Sequence, residues 1–506
     1  MNVAACLALA LVLLCALATA AQSRRTGSLA EQKAARYFDS IRESPPQMLA
    51  FLRKMPKGGD LHSHLSGAVY AESYIQWAAS KGSCVNTATM TLSQPPCDPG
   101  SGQIPAASAL SNPVLYRQII DAWSMRYWQH SGQNGHDHFF DSFGKFGGAT
   151  FGQMIAEVAS RAAKGQVSYL ELMLTPDRGS SSLIGEQVGW DGDFEATLNK
   201  LKSRNIDSAT LNAAKAIQEA EAEKNTLLKC ATPQPDPGCA VTVRYIAQVA
   251  RAAPLGQVFA QMVTGLAMAN DPRSKVVGLN LVQPEDWLLP MQNFKVHMEM
   301  LNFLRPRYPR AHISLHAGEL APGVVQPEGL TFHIRESVMK GHAERIGHGA
   351  SIMNEDDPYG LLKELARRKV MIEICLTSND VILGISKKQH PLAIYLQHGV
   401  PVALATDDEG VSRSDISREY LKAAEDHGLG YVQLKTMART SLEYAFLPGQ
   451  SLWADQRKFI PVSQCAKDIA MANEPSPVCK QYLASSEKAR LQWKLESQFK
   501  AFENEY

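Results

Sequence analysis

The sequence predicts an α/β chain folded as a (β/α)8 TIM-type barrel, with loop insertions and a metal site at the carboxyl ends of its strands. Three observations carry this: eight short apolar runs, the helical patterns between them, and the ionisable residues on which run after run ends. The runs are Leu61–Leu65, Ser168–Leu174, Val241–Val249, Val276–Val282, His312–Ala317, Arg345–Gly349, Met371–Leu376 and Val400–Ala405. Alternating strands and helices in this number point to βα units closing on themselves. Periodicity alone leaves an open doubly wound sheet as the alternative. No Gly-rich phosphate fingerprint follows an early strand, so the nucleotide-binding form of that sheet has no support.

The chain divides around this repeat. Residues 1–20 carry no charge, hold an apolar run from Val3 to Leu17 and end on small residues, the pattern of a cleaved signal peptide. An uncleaved anchor is the alternative, since Arg24 and Arg25 follow directly. Residues 21–50 read as a helical lead-in, 51–454 as the barrel, and 455–506 as a helical extension. Residues 82–113 and 194–240 read as insertions, the first a polar surface loop and the second largely a polar helix. Six cysteines fall into local pairs, Cys84 with Cys97, Cys230 with Cys239 and Cys465 with Cys479, and each pair brackets a polar or Pro-rich loop. Loop staples of this kind belong to an oxidising compartment, so the expected location is secreted or periplasmic, with no stable membrane association after cleavage. Cys375 is left over in an apolar run and reads as a buried thiol. Lys plus Arg number 51 and Asp plus Glu 50, which gives no electrostatic reason to expect nucleic acid or an anionic membrane as partner.

Function in a barrel collects at the carboxyl ends of the strands. His62 and His64 stand two apart at the end of the first run, so both rings point to one side and can bind one ion. His316 ends the fifth run. Gly318 after it permits a sharp turn that brings Glu319 back over the site, where a carboxyl that does not bind the metal can shuttle protons. His348 stands between two glycines, as a ligand or as a polar group beside one. Asp407 and Asp408 follow the last run; adjacent side chains point apart, so one can bind metal while the other faces substrate. A helix cap or solvated turn is the plain alternative for such a pair. Three His and one Asp make a set suited to zinc. No Lys ends Val276–Val282, where a two-metal barrel hydrolase often keeps a modified bridging Lys, so one Zn2+ per chain is expected.

These motifs resemble the adenosine deaminase family of the metal-dependent hydrolases, closest to its secreted, growth-factor-like branch. The matching strings are MPKGGDLHSHLSGA (Met55–Ala68), HAGE (His316–Glu319), RIGHG (Arg345–Gly349), SND (Ser378–Asp380) and HPLAIYLQHGVPVALATDD (His390–Asp408), in that order across roughly residues 50–450. The resemblance implies that His62, His64, His316 and Asp407 hold zinc, which lowers the proton affinity of water. It implies that His348 steadies the charge that forms, Glu319 protonates purine N1, and Asp408 contacts N7. The implied reaction is hydrolytic deamination of adenosine, deoxyadenosine or a related 6-aminopurine nucleoside to inosine and ammonia, by a monomer or homodimer. A barrel amidohydrolase for another cyclic amidine or amide is the runner-up, and a secreted nucleoside-binding protein the reading outside enzymes.

Two positions depart from the family pattern. Ser66 stands where the family usually has an Asp that contacts a ribose hydroxyl, which removes a charge that would repel phosphate and leaves a phosphorylated or modified nucleoside open. Val282-Gln283-Pro284-Glu285-Asp286 replaces the usual Gly before an acidic pair, where backbone would approach purine N3; either Gln283 makes that contact through its own amide or the contact is lost. Glu285 is kept for substrate or structural reasons. The aromatic segment Phe139–Phe146 either caps an apolar purine pocket or belongs to the core.

Overall fold

The computed structural model describes residues 27–471 and 474–506. The segment read as a signal peptide lies outside them. Eight parallel strands follow one another around a single sheet in chain order: β1 (Gly58–His64), β2 (Val167–Leu174), β3 (Thr242–Ala250), β4 (Val276–Val282), β5 (His312–Ala317), β6 (Arg345–His348), β7 (Met371–Ile374) and β8 (Val402–Leu404). The sheet closes on itself just past β8. Ser63 and Asp407 bridge in parallel, Asp407 N donates to His62 O at 2.8 Å, and His64 N donates to Asp407 O at 2.9 Å. That closure rules out the open doubly wound alternative.

The strands are buried on both faces, which is why they read as apolar runs and not as alternations. Every residue of β2 is buried. The helices form the outer layer. Phe151–Lys164 shows how they dock: Thr150 and Gln153 form a capping box at its start, and Met154, Ile155, Val158, Ala159 and Ala162 make one apolar stripe at helical spacing. The helix Asp207–Leu227 buries Ala209, Ala213, Ala216, Ile217 and Ala220 and packs on Phe151–Lys164 and Leu255–Asn270. Part of the stretch read as inserted therefore sits in the outer layer between β2 and β3. Its buried stripe is mostly alanine, too small to stand out against the Glu and Lys residues that made the stretch read as polar.

Residues 82–113 hold more structure than a loop. Cys84–Asn86 pairs antiparallel with both Leu92–Ser93 and Gln103–Pro105. Strands of two or three residues are too short to show a period. The lead-in is two helices, Leu29–Ser40 and Pro45–Lys54, joined by a short turn, with Pro45 and Pro46 opening the second, where a missing N–H costs nothing. Phe51 from this segment meets Tyr431, Phe502 and Tyr506, so the lead-in and the carboxyl-terminal helix Glu487–Glu503 cover the barrel together. All three expected cysteine pairs are bonded, and Cys375 is free and buried. Among the described residues no helix is long and apolar enough to cross a membrane.

Cys465 and Cys479 lie in a small apolar cluster with Leu452, Trp453, Leu483 and Ala489, apart from the main core. The bond closes a loop with a sequence separation of 14. Replacing both by Ala should cost about 3 kcal/mol by loop entropy, measured by denaturant unfolding of the oxidised protein. An unchanged midpoint would show that the cluster needs no staple.

Candidate metal centre and its pocket

The strand ends bring the predicted residues together. His62, His64, His316 and Asp407 each offer an atom within 4.8 Å of the others. His64 Nε2 stands 3.1 Å from His316 Nε2, and Asp407 Oδ1 is 3.3 Å from Nε2 of both His62 and His64. His62 Nε2 and Asp407 Oδ1 are buried and accept or donate no hydrogen bond. Two imidazole nitrogens facing each other need a cation or a proton between them. Burial pushes His64 down to about 4 and His316 well below the usual value, so both rings are neutral, the form that binds metal. Burial also disfavours charge on His62, but Asp407 and Glu373 outweigh it and raise that ring to about 10. Two carboxylates on one buried ring call for positive charge at this point. The donor set and its unpartnered atoms fit one bound metal ion.

The atoms facing away from the centre are engaged. His62 Nδ1–H donates to Glu373 Oε2 at 2.6 Å, and His316 Nδ1–H donates to Asn280 Oδ1 at 2.8 Å. Ser378 Oγ donates to Asp407 Oδ2 at 2.6 Å, and the Gln248 amide lies 2.7 Å from His64 Nδ1. Outer partners of this kind fix the tautomer and direction of a ligand. Glu373 in turn pairs with Arg345, 2.7 Å away, which also pairs with Glu171 and lies over the Phe446 ring. Glu373, Asn280 and Gln248 escaped the sequence reading. Glu373 and Asn280 are lone polar residues inside apolar strands, a signal that was open to use, because a buried polar group must find a partner; Gln248 lies in a mixed strand that gives no such signal.

Glu319, His348 and Asp408 surround the cluster. Glu285 accepts from the backbone N of Gly318 and Glu319 and from His333 Nδ1, so its role is to hold the turn that aims Glu319. Burial and Asp407, opposed by Arg251, raise Glu319 to about 8. Burial and Asp407 also hold Asp408 well above the usual carboxylate range, and its Oδ1 is unpartnered. His390 Nε2 donates to Asn379 Oδ1, and Asn379 Nδ2 donates to His348 Nδ1 at 3.0 Å. His348 is thereby left with a proton on Nε2, 3.6 Å from Glu319. Burial lowers its pKa to about 3, so the ring is neutral. Asp380 of the same motif points elsewhere and pairs with Lys422.

Three site residues adopt left-handed backbone: Gln283 (φ 81°), His348 (φ 67°) and Asp407 (φ 59°). Non-glycine residues hold such angles only where their surroundings insist. At Gln283 the reason is visible. Its Oε1 accepts from Ala252 N at 3.0 Å and its backbone O accepts from Arg251 Nε at 2.8 Å. The backbone turn that a glycine would make is kept without one.

A cavity of about 250 Å³ opens above the cluster. His64, His316, Glu319, Asp407 and Asp408 form its polar floor; Phe139, Phe140, Phe143, Val282, Pro284 and Trp287 wall it, with Ser66, Gln248 and Gln283 between. Of the aromatic segment, Phe139, Phe140 and Phe143 line the cavity, whereas Phe146 packs against Tyr74 and Trp123. Among the described residues no Lys or Arg lines it.

The profile of the adenosine deaminase family matches residues 149–454, more than half of the chain. The chain belongs to the adenosine deaminase family. Among curated relatives, the adenosine deaminase of Yersinia pseudotuberculosis is 37% identical over 163 residues, which is 32% of this chain and 46% of that protein. That of Escherichia coli is 34% identical over 187 residues, 37% of this chain and 51% of its own. The chain thus aligns with about half the length of these relatives. Solved structures similar to it include the N6-methyl-AMP deaminase of Arabidopsis thaliana (20% identity, TM-score 0.49, 79% of this chain and 94% of that one). A zinc-bound amidohydrolase of Burkhoderia ambifaria is 16% identical with TM-score 0.49, over 86% of this chain and 94% of that one.

Two measurements probe this geometry. A Cβ at Gly347 would stand 2.5 Å from His62 Cε1. Gly347→Ala should therefore cost about 1–3 kcal/mol of stability and lower the metal content of the purified protein; unchanged metal content would mean that His62 can retreat. His136 joins the helix Gly135–Ser142 to the loop after β4, 3.0 Å from Asp286, beside Asp137. Burial opposes the charge on this ring, but Asp286 and Asp137 raise it from 6.5 to about 9. The raised value means the contact stabilises fully below about pH 6.5 and is lost as pH rises through about 9. Melting temperature should fall across that window in the native chain and less in His136→Gln.

Proposed function

We propose that the chain is a zinc-dependent hydrolase that deaminates adenosine or a closely related 6-aminopurine nucleoside, outside the cytoplasm. The observation that carries this is one cavity floored by His64, His316 and Asp407 of the metal cluster together with the buried Glu319 and an unpartnered Asp408 oxygen, with the His348 Nε2 proton 3.6 Å from Glu319. His62, His64 and His316 would hold the ion through Nε2 and Asp407 through Oδ1. Zinc bound there would supply Lewis acidity that lowers the proton affinity of water at neutral pH.

The residues divide the remaining work. Glu319, whose proton its burial favours, gives that proton to N1 of the purine as the oxygen of water bonds to C6. One proton of that water moves through Glu319 to the exocyclic nitrogen, the C6–N bond breaks and ammonia leaves, and the second water proton returns to Glu319 as the C6 oxygen becomes a carbonyl; adenosine plus water becomes inosine plus ammonia. The neutral His348 donates its Nε2 proton toward the oxygen that gains charge at C6. Asp408, held protonated by burial and by Asp407, donates to N7. Phe139, Phe140, Phe143 and Trp287 supply the apolar walls that a purine needs.

The cavity favours a nucleoside over a nucleotide. Ser66 removes one carboxylate from its rim, but no cation takes its place, and Glu319, Asp407 and Asp408 face inward. A phosphate dianion would meet neutral donors at the rim but no positive charge to offset its own. Export is supported by the three bonded cysteine pairs.

The test is a deaminase assay with adenosine, deoxyadenosine, AMP and N6-methyl analogues, with and without chelator. Turnover of the nucleosides well above AMP, lost on chelation and restored by zinc, is the expected result. Glu319→Gln should cut kcat by at least about 100-fold while zinc content stays at one per chain. Zinc-loaded protein that deaminates no aminopurine would remove the proposal, and retained turnover in Glu319→Gln would remove the proton role.

A further inference from the structure

Gln248 is placed to serve two masters. It sits near the end of β3, half-buried, with its amide placed Nε2 towards His64 Nδ1 at 2.7 Å and the side chain lining the cavity. The oxygen and nitrogen of an amide are interchangeable in shape, so the histidine tautomer decides which one meets the ring. The other two histidines of the cluster answer that question. His62 Nδ1 faces the carboxylate of Glu373 and His316 Nδ1 faces Asn280 Oδ1, both acceptors, so each ring carries its proton on Nδ1 and turns a bare Nε2 to the centre. His64 Nε2 points into the same centre, 3.1 Å from His316 Nε2 and 3.3 Å from Asp407 Oδ1. For it to join the others its Nδ1 must carry the proton, and only the amide oxygen can accept it. The NH2 of Gln248 is then turned to the cavity, where no other hydrogen bond of its own is made among the described residues.

We infer that Gln248 is both a positioning residue for His64 and a specificity-determining residue for the substrate, its amide oxygen fixing the metal-binding tautomer and its NH2 donating to an acceptor atom of the bound nucleoside. Gln283 reinforces the second role. Its Oε1 is taken by Ala252 N, so its own NH2 is the free end of a side chain that also lines the cavity. Ser66 stands on the same rim, where a carboxylate would accept. The polar rim is therefore rich in neutral donors, which selects a ligand with exposed acceptors there, such as a ring nitrogen or an ether oxygen. This inference rests on the zinc reading above.

Two substitutions separate the roles, because Glu keeps the acceptor and loses the donor, while Leu loses both. Zinc affinity is measured on metal-stripped protein by chelator competition, and KM and kcat on the zinc-loaded protein. Gln248→Leu should weaken zinc binding by about 10- to 100-fold. Gln248→Glu should bind zinc at least as tightly as the native chain. Both should raise KM by about tenfold, with kcat of the Glu variant changed less than KM. Equal losses of zinc affinity in the two variants, or a native affinity in Gln248→Leu, would overturn the positioning role. An unchanged KM in Gln248→Glu would overturn the donor role. Nitrogen-15 spectra of the histidine rings give a readout independent of turnover: His64 should carry its proton on Nδ1 in the native and Glu forms. Failure of the native chain to bind zinc or deaminate a nucleoside would instead count against the proposed function, and is read from the native protein alone.

Discussion

The bridge between β1 and the residue after β8 is the contact on which the site depends. Closing the barrel requires the backbone of Asp407 to pair with that of His62 and His64, through two hydrogen bonds of 2.8 and 2.9 Å. The same pairing brings the first and last strands together with their side chains at one end, so a structural bond places three of the four cluster residues. The fourth, His316, arrives from the far side of the sheet on β5. Asp407 meets both demands only by adopting φ of 59°. Such a conformation costs about 1–3 kcal/mol and persists where closure and the side-chain bond from Ser378 over-determine it.

Beneath that closure lies a buried charge network that sets directions. Arg345 on β6 pairs with Glu171 and Glu373, and His62 donates to Glu373. All four are almost wholly buried. Removing one partner would leave an uncompensated charge in the barrel core, a costly state. The network therefore orients a site residue as firmly as the backbone does. The second orienting set is neutral: His390, Asn379 and His348 pass a donor direction along a chain of hydrogen bonds to a single ring nitrogen. One chain makes a nitrogen bare and the other keeps a nitrogen protonated, on two rings whose centroids stand 5.0 Å apart.

The cavity wall draws on segments distant in sequence. The helix Gly135–Ser142 brings Phe139 and Phe140, and the loop after β4 brings Gln283, Pro284 and Trp287. Glu285 in that loop points the other way, into the turn that carries Glu319. One short loop thus shapes the pocket on its outer side and aims the central carboxyl on its inner side.

Much of this was legible in the residues themselves. Period-two spacing placed His62 and His64 on one side of a strand, Gly318 announced a turn, and eight apolar runs of strand length announced a barrel, because each is a local property of the chain. The local cysteine pairs were readable for the same reason. What the tertiary structure decided is everything that depends on which strands become neighbours. It decided that the barrel closes at Asp407, that Glu373, Asn280 and Gln248 are the partners of three different histidines, and that Glu285 serves Glu319. It also decided that no cation compensates for Ser66. These are relations between residues 30 to more than 300 positions apart. A side chain's chemistry is written at its own position, but its partner is set by strand order and register, and those exist only once the sheet has closed.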